Sequence, residues 1–123
     1  MTTKEIAERL VAFCRQGKFE NAQKELYATD AISIEPYATP AFAKETKGLN
    51  ALIEKGHKFT AMIEQVHSIS VSDPLVAGSS FACAMQLDVT IKGQGRMNMT
   101  ELCIYEVKDG KIISEQFTSR FHV

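Results

Sequence analysis

LYATDAISIEP, running from Leu26 to Pro36, joins the end of a helical pattern to a short strand that stops at an acidic residue followed by proline. Ile32 and Ile34 alternate with smaller or polar neighbours, the period of an extended chain. Pro36 pushes Glu35 out of the helical region and ends the run. From this junction the order of elements follows in both directions, and with it the place of a pocket.

Upstream, Thr2-x-x-Glu5 has the form of a capping box, and Ile6, Leu10 and Phe13 then fall on one helical face that Ala7, Val11 and Cys14 widen. This first helix closes near Gly17. A second, from Phe19 to Ala28, directs Phe19, Ala22 and Leu26 to the core and leaves Glu20, Gln23, Lys24 and Glu25 for the rest of its surface. Asp30 turns the chain into the strand Ala31 to Glu35. Downstream, Tyr37 to Lys47 lacks periodicity and reads as a loop. Gly48 then introduces Leu49, Leu52, Ile53, Gly56, Phe59, Met62 and Ile63 at helical spacing.

After Glu64 the period changes to two. A strand runs to about Ser72, Asp73-Pro74 breaks it, and a long strand carries Phe81, Cys83, Met85, Leu87, Val89 and Ile91 on one face. The KGQGR stretch, Lys92 to Arg96, and the Asp109-Gly110 pair are hairpin turns, so a meander of antiparallel strands reaches KIISEQFTSRF near the C-terminus. The strand Arg96 to Lys108 is apolar on both faces. Met97, Met99, Cys103, Tyr105 and Val107 share one with Glu101, while Leu102 and Ile104 on the other need cover of their own.

The chain has 123 residues, enough for one domain over residues 1–123 with a core that needs no metal or disulfide. A net charge of −1 with scattered Lys and Arg offers no footprint for nucleic acid or for a membrane surface. No run reaches the roughly 18 apolar residues that span a bilayer, and the polar start MTTKEIAERL argues against export. Cys14, Cys83 and Cys103 are an odd, widely spaced set, as expected of reduced thiols in a cytoplasmic protein.

This order of elements resembles the nuclear transport factor 2-like superfamily, above all its SnoaL-like polyketide cyclase and ketosteroid isomerase branches. The resemblance is carried by Arg9 to Pro36, by the Lys47-Gly48-Leu49 entry to the third helix and by YEVKDGKIISEQF, Tyr105 to Phe117. It implies an α+β fold in which a cone-shaped, curved antiparallel sheet wraps around three helices, a ligand sits at the open end, and a homodimer forms through the outer sheet face. Fold alone does not choose among the enzymes, binders and adaptors built on this scaffold.

In the ketosteroid isomerase branch the acidic residue before the proline is the general base, which here is Glu35. A carboxylate at the mouth of an apolar cavity is suited to taking and returning protons; the alternative is an acid on the solvent face, opposite Ile32 and Ile34. The branch's enolate-binding tyrosine and protonated aspartate fall by residue matching on Leu10 and Cys103, which supply no donor and a weak one. Glu101, on the strand face of Cys103, is the nearest replacement. His67 and His57 are further candidates for base or donor, each with a structural alternative; His122 is too close to the end to be expected in a site. The histidines lack metal-ligand spacing.

Met62, Met85, Met97, Met99, Phe59, Phe81 and Tyr105 are expected to line the cavity or to fill the core, and Tyr27 and Tyr37 to flank its opening. The leading reading is a small-molecule-binding protein with an apolar pocket, acting as a cofactor-free isomerase or cyclase on a small hydrophobic organic molecule. A non-catalytic ligand-binding or protein-interaction module on the same fold is the other.

Overall fold

The computed structural model describes residues 1–118; His122 and the end of KIISEQFTSRF lie outside the described residues. Helix α1 spans Thr3–Arg15 and starts at the expected capping box: the Glu5 N–H donates to Thr2 Oγ1 at 3.1 Å and the Thr2 N–H to Glu5 Oε1 at 2.9 Å. Its buried face is Ile6, Ala7, Leu10, Val11 and Cys14. Gly17, at φ 73°, ends it in a left-handed turn, where Lys18 N–H reaches Phe13 O at 2.9 Å and Gly17 N–H reaches Cys14 O at 3.0 Å.

Helix α2 covers Phe19–Leu26 and buries only Ala22 and Leu26. Phe19, expected in the core, is 37% exposed. The chain becomes extended at Tyr27, so strand β1 is Tyr27–Ile34 and begins four residues before the position read from Asp30. Tyr27 and Thr29 suit a strand, and the helical pattern has no inward-facing residue left after Leu26. Part of the presumed loop, Glu45–Lys47, is strand β2, paired antiparallel with β1 and extended by Glu35 N–H donating to Lys44 O at 2.7 Å. Three residues are too few to show a period.

Helix α3, Leu49–Met62, leads into β3 (Ile63–Val71), β4 (Leu75–Ala77), β5 (Ser80–Ile91), β6 (Gly95–Lys108) and β7 (Lys111–Phe117). The β6–β7 turn is the Asp109-Gly110 pair, both at positive φ as such a hairpin requires. The sheet order is β2-β1-β7-β6-β5-β3, with β4 on β5, and it does not close into a barrel. One pairing departs from the antiparallel expectation: β1 runs parallel to β7, with Ser33 opposite Glu115. Local periodicity carries no information about which distant strand becomes a neighbour, so this contact was invisible in the sequence.

The concave face packs on the helices as one main cluster that includes Ile6, Leu10, Leu26, Phe81, Tyr105 and Ile112. A smaller cluster, Val89, Ile91 and Met99 with Phe59, Met62 and Met97 against it, closes the far end.

Gly48 sets the start of α3. Its φ of 94° and ψ of 140° belong to backbone that L side chains rarely adopt, while its N–H donates to Ala31 O at 2.8 Å and ties the helix to β1. Gly48→Ala should therefore lower unfolding free energy by about 1–3 kcal/mol, measured by urea denaturation.

Candidate functional site

Between the three helices and the sheet lies a cavity of about 270 Å³. Its walls are apolar: Leu10 and Cys14 from α1, Leu52, Ile53 and Phe59 from α3, and Met85, Leu87 and Met99 from the sheet. Helix α3 buries only Leu52 fully, because its inward face meets this hollow in place of packed side chains. A second depression between α1 and Pro74 is lined mainly by Lys4, Glu8, Arg15 and Asp73, of which Arg15 and Asp73 pair with each other at the surface.

The buried end of the first cavity is polar. Lys55 Nζ lies 2.6 Å from Glu35 Oε2, with the lysine side chain 13% exposed and the glutamate 2%. The same ammonium donates to Ser33 Oγ at 3.0 Å and lies 5.7 Å from the centre of the Phe117 ring. Ser33 in turn donates to Glu115 Oε2 at 2.6 Å, and Tyr27 donates its hydroxyl proton to Glu115 Oε1. One continuous chain thus runs Glu35, Lys55, Ser33, Glu115, Tyr27.

The backbone explains this convergence. Ser33 and Glu35 project to one side of β1, opposite Ile32 and Ile34, and that side is the inner one: Ser33 and Glu35 are buried while the isoleucines are half-buried. The parallel register sets Ser33 against Glu115 of β7. Lys55 comes from α3, three residues after Leu52 and four before Phe59, so it belongs to the helix's apolar face.

Two carboxyl groups share one ammonium here. Burial raises the Glu115 pKa, as does Glu35 nearby, against the opposing pull of the Ser33 and Tyr27 hydrogen bonds and of Lys55. Burial, with Glu115 next, also holds the Tyr27 phenol well above its ordinary value. The arrangement sets Glu115, its pKa raised by burial, close to the ion-paired Glu35, and perturbed carboxyl groups in a cleft are the elements of acid–base chemistry.

Of the candidates read from sequence, Glu35, Glu101, His57, Leu10, Tyr27, Phe59, Met85, Met99 and Tyr105 line this cavity. Their positions differ in kind. Tyr27 is buried at the inner end and not at an opening, because its hydroxyl is drawn to Glu115. His57 is at the exposed rim, held by Glu20 and, at 3.5 Å, Glu54; the hydrogen bond to Glu20 chiefly raises its pKa.

The other candidates do not line the cavity. His67 is engaged with Thr90 Oγ1 at 2.7 Å on β3. Tyr37 is 53% exposed, in the irregular segment that follows β1. Met62 and Met97 pack in the smaller cluster, and Phe81 stacks on Tyr105 with ring centres 4.7 Å apart. Cys103 lies beneath the wall, its Sγ 3.9 Å from Glu101 Oε1. All three cysteines are buried and unbridged, and burial pushes the Cys14 thiol up to about 12. No group of three or more His, Cys, Asp or Glu side chains able to hold a metal occurs among the described residues.

Lys55, Ser33 and Glu115 were missed in the sequence. Lys55 carried a legible signal, a charged residue inside an apolar helical stripe. Glu115 carried a weaker one, alternation with Phe117; Ser33 carried none.

Comparisons with known proteins bear on the family and the fold. A model of the SnoaL-like domain matches residues 1–119. A candidate SnoaL-like polyketide cyclase, also labelled a carbohydrate phosphatase, from Mesorhizobium loti is 36% identical, with 95% of this chain and 98% of that chain covered and a TM-score of 0.87. A Xanthomonas campestris protein of unknown function with a cystatin-like fold is 18% identical over 97% of this chain and 91% of its own, with a TM-score of 0.81. IdmH, a candidate polyketide cyclase from Streptomyces antibioticus, is 18% identical over 95% and 91%, with a TM-score of 0.71. These last two are likenesses of fold. Among curated proteins none matched.

Two measurements probe the cluster. A carboxyl with a raised folded-state pKa contributes its stability below the ordinary value of 4.5 and loses it as pH rises through the raised one. Glu115→Gln should therefore flatten the decline in stability above pH 4.5, read from urea midpoints across pH; an unchanged slope would assign the decline elsewhere. Lys55→Met takes the ammonium away from the buried Glu35 and should cost about 3–5 kcal/mol, with a large part recovered in Lys55→Met/Glu35→Leu.

Proposed function

This chain belongs to the SnoaL-like domain family, and on that premise we propose that it binds a small, mainly apolar organic molecule and moves a proton on it with side chains alone, as an isomerase or cyclase. The observation that carries the reading is the buried Lys55–Glu35 pair at the inner end of an apolar cavity, with Glu115 next along the chain of hydrogen bonds.

On this reading the Glu35 carboxylate takes a proton from carbon beside a carbonyl, and the C–H electron pair moves onto the carbonyl oxygen as an enolate. Return of the proton to another carbon completes an isomerisation. Attack of the enolate carbon on a second carbonyl, whose oxygen then takes the proton, closes a ring. Lys55 pairs with the Glu35 carboxylate at the buried end of the cavity, and Glu115, its pKa raised by burial, is a second acid–base group along the same chain of hydrogen bonds. Mobile acid–base groups suffice, so the reading invokes no cofactor.

The likeness at 36% identity to a candidate cyclase supports it. The same reading places the protein in the cytoplasm as a homodimer, with Leu102, 43% exposed, and Ile104 on the outer sheet face as the contact. A non-catalytic binder is the second reading, favoured by Leu10, which lines the cavity without offering a donor.

The test is solvent-deuterium incorporation next to the carbonyl of small cyclic ketones, followed by proton NMR. Glu35→Gln should slow exchange by about 10²–10⁴-fold while ligand affinity stays within about twofold. Exchange that persists in the variant removes Glu35 from the chemistry, and its absence from the unaltered protein across the panel favours the binder.

A further inference from the structure

Lys55 stands apart from the other lysines of this chain. Every other one is exposed, whereas the Lys55 side chain is 13% exposed and lines the cavity. Leu52, one turn before it on α3, and Phe59, one turn after, line the same cavity, so the helix carries this amine on its inward face. Ion pairs that only fasten elements together form at the surface here, as Arg9 with Glu25 and Arg96 with Asp88. An interior pair is costly and a weak source of stability. What the interior position supplies is contact between an amine and the occupant of the cavity.

The neighbours of this amine are those that imine formation requires. A lysine becomes a nucleophile only after giving up a proton, and Glu35 Oε2, 2.6 Å from Nζ, is placed to receive it. Ser33 Oγ, 3.0 Å from Nζ, helps to fix the nitrogen and continues to Glu115. We propose that Lys55 is a nucleophile that captures the carbonyl group of an aldehyde or ketone as a covalent imine.

Glu35 takes a proton from the ammonium, and the freed nitrogen lone pair bonds to the carbonyl carbon. The C=O π pair moves to oxygen, which receives that proton from Glu35. Glu35 then takes a second proton from nitrogen and passes it to the new hydroxyl. The C–O bond breaks with its electron pair, water leaves, and the nitrogen lone pair closes the C=N bond. Ammonium and carbonyl thus become iminium and water, with no oxidant or other reactant consumed. The iminium keeps one positive charge beside the Glu35 carboxylate, so the buried pair survives and no unpaired charge is created.

The remainder of the ligand meets Leu10, Leu52, Ile53, Met85 and Leu87. A cavity of about 150 Å³ takes benzene, so about 270 Å³ has room for one ring with its carbonyl substituent. The proposal goes beyond proton transfer and shares with it only the reading that a small, mainly apolar molecule enters this cavity.

The test is reductive trapping with benzaldehyde and cyanoborohydride, read by peptide mass mapping. Lys55 should gain one benzyl group about 10-fold faster than any exposed lysine. Toluene, which suits the same walls without a carbonyl, should lower the Lys55 label by about 3–10-fold and leave the exposed lysines within about twofold. Lys55→Arg keeps the positive charge and should lose the label at this site alone. The map and its toluene dependence use the unaltered protein, so they decide the matter whether or not that variant folds.

Label spread evenly over the lysines, a Lys55 label that toluene leaves unchanged, or no label at all overturns the proposal. Benzaldehyde has no hydrogen on the carbon beside its carbonyl, so its capture requires no proton abstraction from carbon. A Lys55 adduct without deuterium exchange in any cyclic ketone removes the proton-transfer reading and keeps the imine. Glu35-dependent exchange without an adduct does the reverse.

Discussion

One ammonium group organises this molecule's interior. Among the described residues, Lys55 supplies the positive charge of a cluster that also contains Glu35, Glu115, Ser33 and Tyr27, and it connects α3 to β1 directly and to β7 through Ser33. Removing a carboxylate and an ammonium from water is expensive, and their attraction in a low-dielectric site offsets the cost only when geometry and further hydrogen bonds are favourable. Apolar residues of similar volume would hold these three elements together at least as well. The cluster lies at the end of a cavity, where burial raises the Glu115 pKa, and a buried ion pair of this kind is weak evidence for stability.

The hollow beside that cluster has walls from both layers: Leu10 and Cys14 of α1, Leu52 and Ile53 of α3, and Met85 and Leu87 of the sheet. At one end of the concave face, Met62, Met97 and Phe59 fill the space over Val89, Ile91 and Met99. The methionines thus divide between two roles: Met62 and Met97 complete a core, whereas Met85 and Met99 face the cavity.

The polar inner end also changes how Glu35 is understood. Its position before Pro36 suggested a base at a cavity mouth, and its strand face left open whether it met solvent. It is instead among the most buried residues of the chain, accompanied by a lysine that no short motif contains. Ser33, two residues earlier on the same face, shares its environment. The isoleucines that made the strand recognisable point the other way.

Helix ends, hairpin turns and most strand faces were determined by the sequence itself, because capping boxes, left-handed glycines and alternating apolar residues act through neighbours a few positions apart. The Thr2–Glu5 box, the Gly17 stop and the Asp109-Gly110 turn are of this kind, and so is the buried face of β5. The buried polar cluster is of another kind. Glu35, Lys55 and Glu115 lie far apart in the chain and meet only because β1 runs parallel to β7 while α3 crosses above them. Strand partnership, the inward face of β1 and the state of a shared proton depend on long-range packing and on the exclusion of water, and only the tertiary structure supplies those.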